Sequence, residues 1–161
     1  MTSMDTERTL LTARQVMQPK VITLHPDQEV VDAVQTLLRA GISGAPVVDD
    51  DGRVCGMFSE RDSLTVLAAA AYDAEPSGKV ADHMRPNEHT IDADRDVFEL
   101  AQHFRDNSVR RTPVVDKDGR LIGLVLRSNV MRELHRLYFA RAAMPPAEPR
   151  TPYERVYQQL Q

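Results

Sequence analysis

The sequence predicts an α+β protein built from one supersecondary unit written twice, and three observations carry that expectation. Sliding the chain on itself by 67 residues aligns Val16 to Leu64 with His83 to Met131 without a gap. Met17, Pro19, Asp27, Val30, Pro46 and Gly56, among others, meet the same residue in the second copy. Within each copy the apolar residues run at helical spacing, then as β-branched stretches around a turn, then at helical spacing again. Composition agrees, since 42% hydrophobic and 27% charged residues over 161 positions is ordinary for a globular chain. A chain of this length buries a core without disulfide or metal staples.

Each copy reads β-α-β-β-α. The short pieces VITL (21–24) and HTI (89–91) are extended. After Pro26-Asp27 and Ala93-Asp94, the residues Val30, Val34, Leu37 and Leu38, and then Val97, Ala101 and Phe104, recur on one helical face. APVVDDDGRVCGMFS (45–59) and TPVVDKDGRLIGLVL (112–126) follow, two apolar runs around an Asp/Gly turn, which is the pattern of a hairpin. The Asp-x-Asp-Gly turns lack the full spacing and closing Glu of a calcium loop and read as plain turns. A second helix follows each hairpin, with Leu64, Leu67 and Ala71 in the first copy and Val130, Met131, Leu134, Leu137 and Tyr138 in the second.

The period exceeds that of solenoid repeats. A unit this small is marginal alone, so the two copies are expected to pack face to face around one core with a cleft at their interface. The boundaries read as a tail (1–11), repeat 1 (12–72), a connector DAEPSG (73–78), repeat 2 (79–139) and a Pro-rich tail (140–161) that ends in YERVYQQLQ, a short helix or a frayed end.

The net charge of −4 argues against a protein whose main work is holding a nucleic-acid backbone. A local Arg cluster for a small anion remains compatible with it. The single Cys55 lies in an apolar run and reads as a small hydrophobe. The five histidines share no metal-ligand spacing with one another or with Cys55. The opening MTSMDTERTLLTARQ lacks the basic start and apolar core of a signal peptide. The longest apolar run, VLAAAAY, is far short of a membrane span. A cytoplasmic protein with no nucleic-acid or membrane partner is therefore expected. No nucleophile with a base, Walker loop or dinucleotide fingerprint is present, so no enzymatic activity is expected.

Gly56 to Asp62, GMFSERD, ends a strand with Ser59 and Asp62 three residues apart at a helix start. Such a start can seat a phosphate on its free N–H groups, with Ser59 adding a hydroxyl and Asp62 accepting from a ribose. The same pair is also close to a capping box. The second copy carries Leu126 and Asn129 instead.

Met-x-Pro, the extended Thr, PVVD-x-DGR and Gly-x-x-Ser-x-x-Asp, in β-α-β-β-α order, together resemble a tandem cystathionine-β-synthase (CBS) domain pair over about Thr12 to Phe139. The resemblance implies two repeats related by a pseudo-twofold axis, a stand-alone regulatory module, and clefts that take AMP, ADP, ATP or S-adenosylmethionine with no required cofactor. It implies that Ser59, Arg61 and Asp62 hold ribose and phosphate, that Ile22, Thr23, Ala45 and Pro46 wall the adenine, and that Arg110 and Arg111 reach the phosphates. A weaker second site would use Thr90, Thr112, Pro113 and Asn129. The resemblance further implies a homodimer joined through the second helices and an effector protein of unknown identity. The alternative is a ligand-free dimerisation scaffold whose motifs serve as caps.

Overall fold

The computed structural model describes residues 10–73, 78–86 and 89–143. The first copy runs through a helical turn α1 (Ala13–Val16), helix α2 (Val30–Ala40), strands β1 (Gly44–Val48) and β2 (Val54–Ser59), and helix α3 (Glu60–Asp73). The second has turn α4 (Val80–His83), strands β3 (Arg85–Pro86) and β4 (Ile91–Asp92), helix α5 (Val97–Asp106), strands β5 (Arg111–Val115) and β6 (Leu121–Leu126), and helix α6 (Arg127–Ala142). The β-α-β-β-α order appears in full in the second copy. In the first, the opening strand shrinks to one parallel bridge between Leu24 and Val47, where the second copy pairs Ile91 with Val114 and Asp92 with Val115.

Local chemistry explains the hairpins. Asp49 Oδ1 accepts the N–H of Asp51 and of Arg53, each at 2.9 Å, and Asp116 Oδ1 does the same for Asp118 and Arg120. Gly52 (φ 80°) and Gly119 (φ 78°) supply the left-handed residue that closes each turn. These bonds hold the Asp116 carboxyl below its ordinary pKa. Helix α5 starts on a reciprocal cap: Asp96 Oδ1 accepts from Phe98 and Glu99 N–H, and Glu99 returns a carboxylate oxygen to Asp96 N–H at 2.9 Å.

Instead of one common core, each half has its own, and the two exchange a cover. Leu24, Val30, Val34, Leu37, Val47, Phe58 and Val66 form the first, completed by Val80 from α4. Ile91, Val97, Leu100, Val114, Val125 and Val130 form the second, completed by Ala13 from α1. The chain leaving each turn adds to the far sheet: Arg85 and Pro86 pair with Met57 and Gly56, and Gln18 bridges Leu124. Gly56 and Gly123 make room for these crossings. A Cβ on Gly56 would stand 2.5 Å from Arg85 O, and one on Gly123 would run into Met17 Sδ.

The halves meet about a pseudo-twofold axis. Arg53 Nε donates to Asp118 O and Arg120 Nε to Asp51 O, both at 3.1 Å. Leu121 N–H donates to Gly52 O, and Val54 N–H to Gly119 O, in the same reciprocal manner.

On three helices, apolar residues that recur at helical spacing face outward. Leu38 lies 75% exposed, because Val30, Ala33, Val34 and Leu37 define a stripe roughly a quarter-turn away from it. In α3 the buried residues are Ser63 and Val66, whereas Leu64, Leu67 and Ala71 face outward. Ser63 tolerates burial because its hydroxyl donates to Ser59 O at 3.0 Å. In α6, Val130 is buried and Leu134 and Leu137 pack on the core, while Met131 and Tyr138 point away.

Candidate functional site

Strand β2 ends at Ser59 and α3 begins at Glu60, so the Ser59 side chain sits at the strand-to-helix corner. Its N–H and its hydroxyl both donate to Asp62 Oδ2, at 2.8 and 2.9 Å. Asp62 thus closes the helix start by accepting the Ser59 N–H, one of the two bonds of a capping box. Among the described residues, none bonds its other oxygen. Glu60 N–H donates to Ser43 O at 3.0 Å and ties the corner to the start of β1.

Arg110 leads into β5 of the second half and Arg111 opens it. Arg111 crosses the axis, donating from Nη1 to Gly44 O at 2.7 Å and from Nη2 to the Ser43 hydroxyl. Half-burial pulls its pKa down, and the neighbouring Arg110 guanidinium adds to that, while Glu60 opposes it. Arg110 itself is exposed.

Between these groups lies a cleft of about 510 Å³, walled by Ser59, Glu60 and Arg61 on one side and Arg110, Arg111 and Pro113 on the other. Arg85, Pro86 and His89, carried there by the crossing segment, line it as well. The volume falls within the usual range for small-molecule sites.

The sequence-predicted residues divide accordingly. Ser59, Arg61, Arg110 and Arg111 line this cleft, and Asp62 sits behind Ser59 as its cap. Ile22, Thr23, Ala45 and Pro46 do not line it. The crossing supplies the reason: Arg85 pairs with Met57 near the end of β2, and His89 lines the same cleft, whereas the stretch at Ile22 follows Gln18, which pairs with Leu124 of β6. His89 and Pro113 therefore stand beside Ser59, and Ile22 and Pro46, their partners at an offset of 67, belong by symmetry beside Leu126. Ala45 and Pro46 are buried in β1, and Ile22 and Thr23 are exposed.

Of the residues assigned to a weaker site, Pro113 lines the Ser59 cleft instead. Thr90 is half-buried next to His89. Thr112 is fully buried, with its hydroxyl 2.8 Å from His103 Nε2. Asn129 Oδ1 accepts Leu126 N–H at 3.1 Å, a cap without charge or hydroxyl. Sequence reasoning missed Glu60, Arg85 and His89. The repeat offset held a signal for His89, as the partner of Ile22, but no local pattern reveals a crossing strand.

A duplicated α+β module with a ligand-sized cleft between its halves defines the class. Residues 13–68 and 80–136 each match the CBS domain, and the chain belongs to that family as a tandem pair. A CBS domain-containing protein of Dictyostelium discoideum is 32% identical over 127 residues, spanning 73% of this chain and 87% of that one. Hypoxic response protein 1 of Mycobacterium tuberculosis is 28% identical over 127 residues, with 78% and 86% covered. The structure of CBSX2 in complex with AMP superposes with a TM-score of 0.69 at 28% identity, over 80% of this chain and 98% of that one. Other relatives are much longer: the match to an inosine-5'-monophosphate dehydrogenase of Methanocaldococcus jannaschii spans 23% of that protein.

Proposed function

We propose that this protein is a regulatory module, without catalytic activity of its own, that binds an adenosyl ligand, AMP, ADP, ATP or S-adenosylmethionine, in the cleft between its halves. The observation that carries this reading is the meeting of Ser59 at a helix start with Arg110 and Arg111 across one cleft of nucleotide size. The AMP complex of CBSX2 and the ATP complex of the cytosolic domain of the MgtE Mg2+ channel, which is 30% identical with a TM-score of 0.65, support it.

In this reading Arg110 takes a phosphate, and Arg111 joins it by letting go of Gly44 O and Ser43. Asp62 offers its unbonded oxygen to a ribose hydroxyl, and His89 with Pro113 flanks the base in the positions that Ile22 and Pro46 hold in the other half. Trading an inter-repeat bond for a ligand bond alters how the halves are tied, and an effector protein would read that change. The outward apolar residues Leu64, Leu67 and Tyr72 on α3, and Met131, Tyr138 and Phe139 on α6, suit a homodimer. Light scattering giving a monomer mass at tens of micromolar would remove that part. No described helix is long and apolar enough to cross a membrane, and the cytoplasm is the proposed location.

A melting screen against AMP, ADP, ATP, S-adenosylmethionine and guanine nucleotides tests the whole. A rise with an adenosyl ligand supports the sensor. No rise with any would favour the scaffold reading, in which Asp62 and Arg111 serve only the internal bonds they already make.

A further inference from the structure

We infer that the Ser59 cleft selects a nucleoside polyphosphate, two or three phosphates long, over both a monophosphate and S-adenosylmethionine. This rests on the adenosyl-ligand reading and deepens it. Four guanidinium groups, Arg61, Arg85, Arg110 and Arg111, line the cleft, against the carboxylate of Glu60 among its described lining residues and that of Asp62 behind Ser59. They come from four places: the first turn of α3, the crossing strand β3, and two successive positions leading into and opening β5.

Only Arg111 is engaged, with Gly44 O and Ser43. Among the described residues, Arg61, Arg85 and Arg110 form no side-chain hydrogen bond or ion pair. Like charges gathered in a partly enclosed cleft repel one another until an anion enters. A terminal phosphate carries about two negative charges at most and is met by one or two guanidinium forks. It leaves the remaining cations unmatched, whereas each added phosphate supplies oxygens for another. S-adenosylmethionine brings a sulfonium cation instead and would add to the repulsion. Arg85 is the discriminating residue, because β3 places it beside Met57 in the sheet of the first half, whereas Arg110 and Arg111 come from the second half, and no feature of the Ser59 motif requires it.

The test is calorimetry on the full chain with adenosine, AMP, ADP, ATP, S-adenosylmethionine and inorganic tripolyphosphate, comparing wild type with Arg85→Ala, and with melting temperatures confirming that both are folded. Affinity should rise by about tenfold or more from AMP to ATP, with S-adenosylmethionine below AMP. Arg85→Ala should erase most of that rise and leave AMP nearly unchanged, and the ATP advantage should shrink with added salt. Equal affinities for AMP and ATP, or equal losses for both in Arg85→Ala, would overturn the inference while leaving the adenosyl reading intact. Tripolyphosphate binding as tightly as ATP would keep the polyphosphate class and remove the adenosyl reading. No response to any of these ligands would overturn both.

Discussion

The two strand-to-helix corners are the same structure with different chemistry. At Ser59 an N–H and a hydroxyl converge on the Asp62 carboxylate, and at Leu126 a single N–H meets the Asn129 amide oxygen at 3.1 Å. Across the axis the first corner faces Arg110 and Arg111, while symmetry puts Ser43 and Gly44 in that place for the second. What duplication preserved is whatever the backbone needs: a cap, a turn Asp, a Gly where the crossing strand passes. What it let diverge is the hydroxyl, the carboxylate and the guanidinium groups. That split teaches that the fold is symmetric while the site is not, and each half of the statement can be broken separately.

The symmetric half is tested at Gly56 and Gly123. A Cβ at either position meets the crossing segment, so Gly56→Ala and Gly123→Ala should each destabilise by about 1–3 kcal/mol, the usual cost of overpacking. Denaturant melts should give similar losses for the two. A loss at one position alone would show that only one of the exchanged covers matters.

The asymmetric half is tested by ligand binding. A hydrogen bond to a charged group is worth about 1.5–3 kcal/mol, so Asp62→Asn, which keeps shape and removes charge, should weaken ATP binding by about 10- to 100-fold. Asn129→Ala should change it by only a few-fold. Two equivalent sites per chain by calorimetry, or a larger loss from Asn129→Ala, would make the site symmetric after all.

How far the sequence discloses this molecule follows the range of the forces involved. The hairpins are legible because Asp49 and Asp116 act within four residues of themselves, and α2 and α5 because each carries an apolar stripe on one side. Helix α3 misleads because it is apolar on both faces: Leu64 and Leu67 look like core, yet Ser63 and Val66 are. Ser59 with Asp62 and the Arg pair are legible as motifs. That His89 and Arg85, and not Ile22, stand beside Ser59 follows from an exchange of segments between halves, which no local pattern encodes.

A smaller effect tests divergence inside the helices. Val66, a core residue of the first half, aligns with Glu133, whose buried carboxylate is held by Arg136 at i,i+3. Glu133→Val restores the symmetric residue and should leave the melting temperature unchanged or raise it, since apolar replacement of a buried pair is often neutral or stabilising. Arg136→Ala should lower it, because the carboxylate then stays buried without its partner. A drop for Glu133→Val as large as for Arg136→Ala would mean that the carboxylate itself, and not its pairing, holds α6 in place.

The smallest expected difference is one of pH, and it too falls on one half. His103 aligns with Thr36, a residue whose hydroxyl satisfies itself on Asp32 O at 2.9 Å and does not titrate near neutrality. His103 instead bonds the buried Thr112 and stacks edge-on to His89, which lines the cleft, with ring centres 6.0 Å apart. Burial first, and then the positive charges of His89 and Arg95, lower its pKa in the folded chain, with Asp106 opposing. A base whose folded pKa is depressed takes its proton in the unfolded chain first. Stability should therefore be complete above the unfolded value of about 6.5 and fall as pH drops through the window below it, levelling once the folded form is also protonated. His103→Gln keeps a partner for Thr112 and removes the titration, so its melting temperature should lose less than wild type between pH 7.5 and pH 5.5. Hydrogen exchange at the lower pH should show protection falling around α5 and β5 before α2 and β1. An unchanged acid loss in His103→Gln, or equal loss of protection in both halves, would place the acid sensitivity elsewhere and leave the two halves alike in this respect.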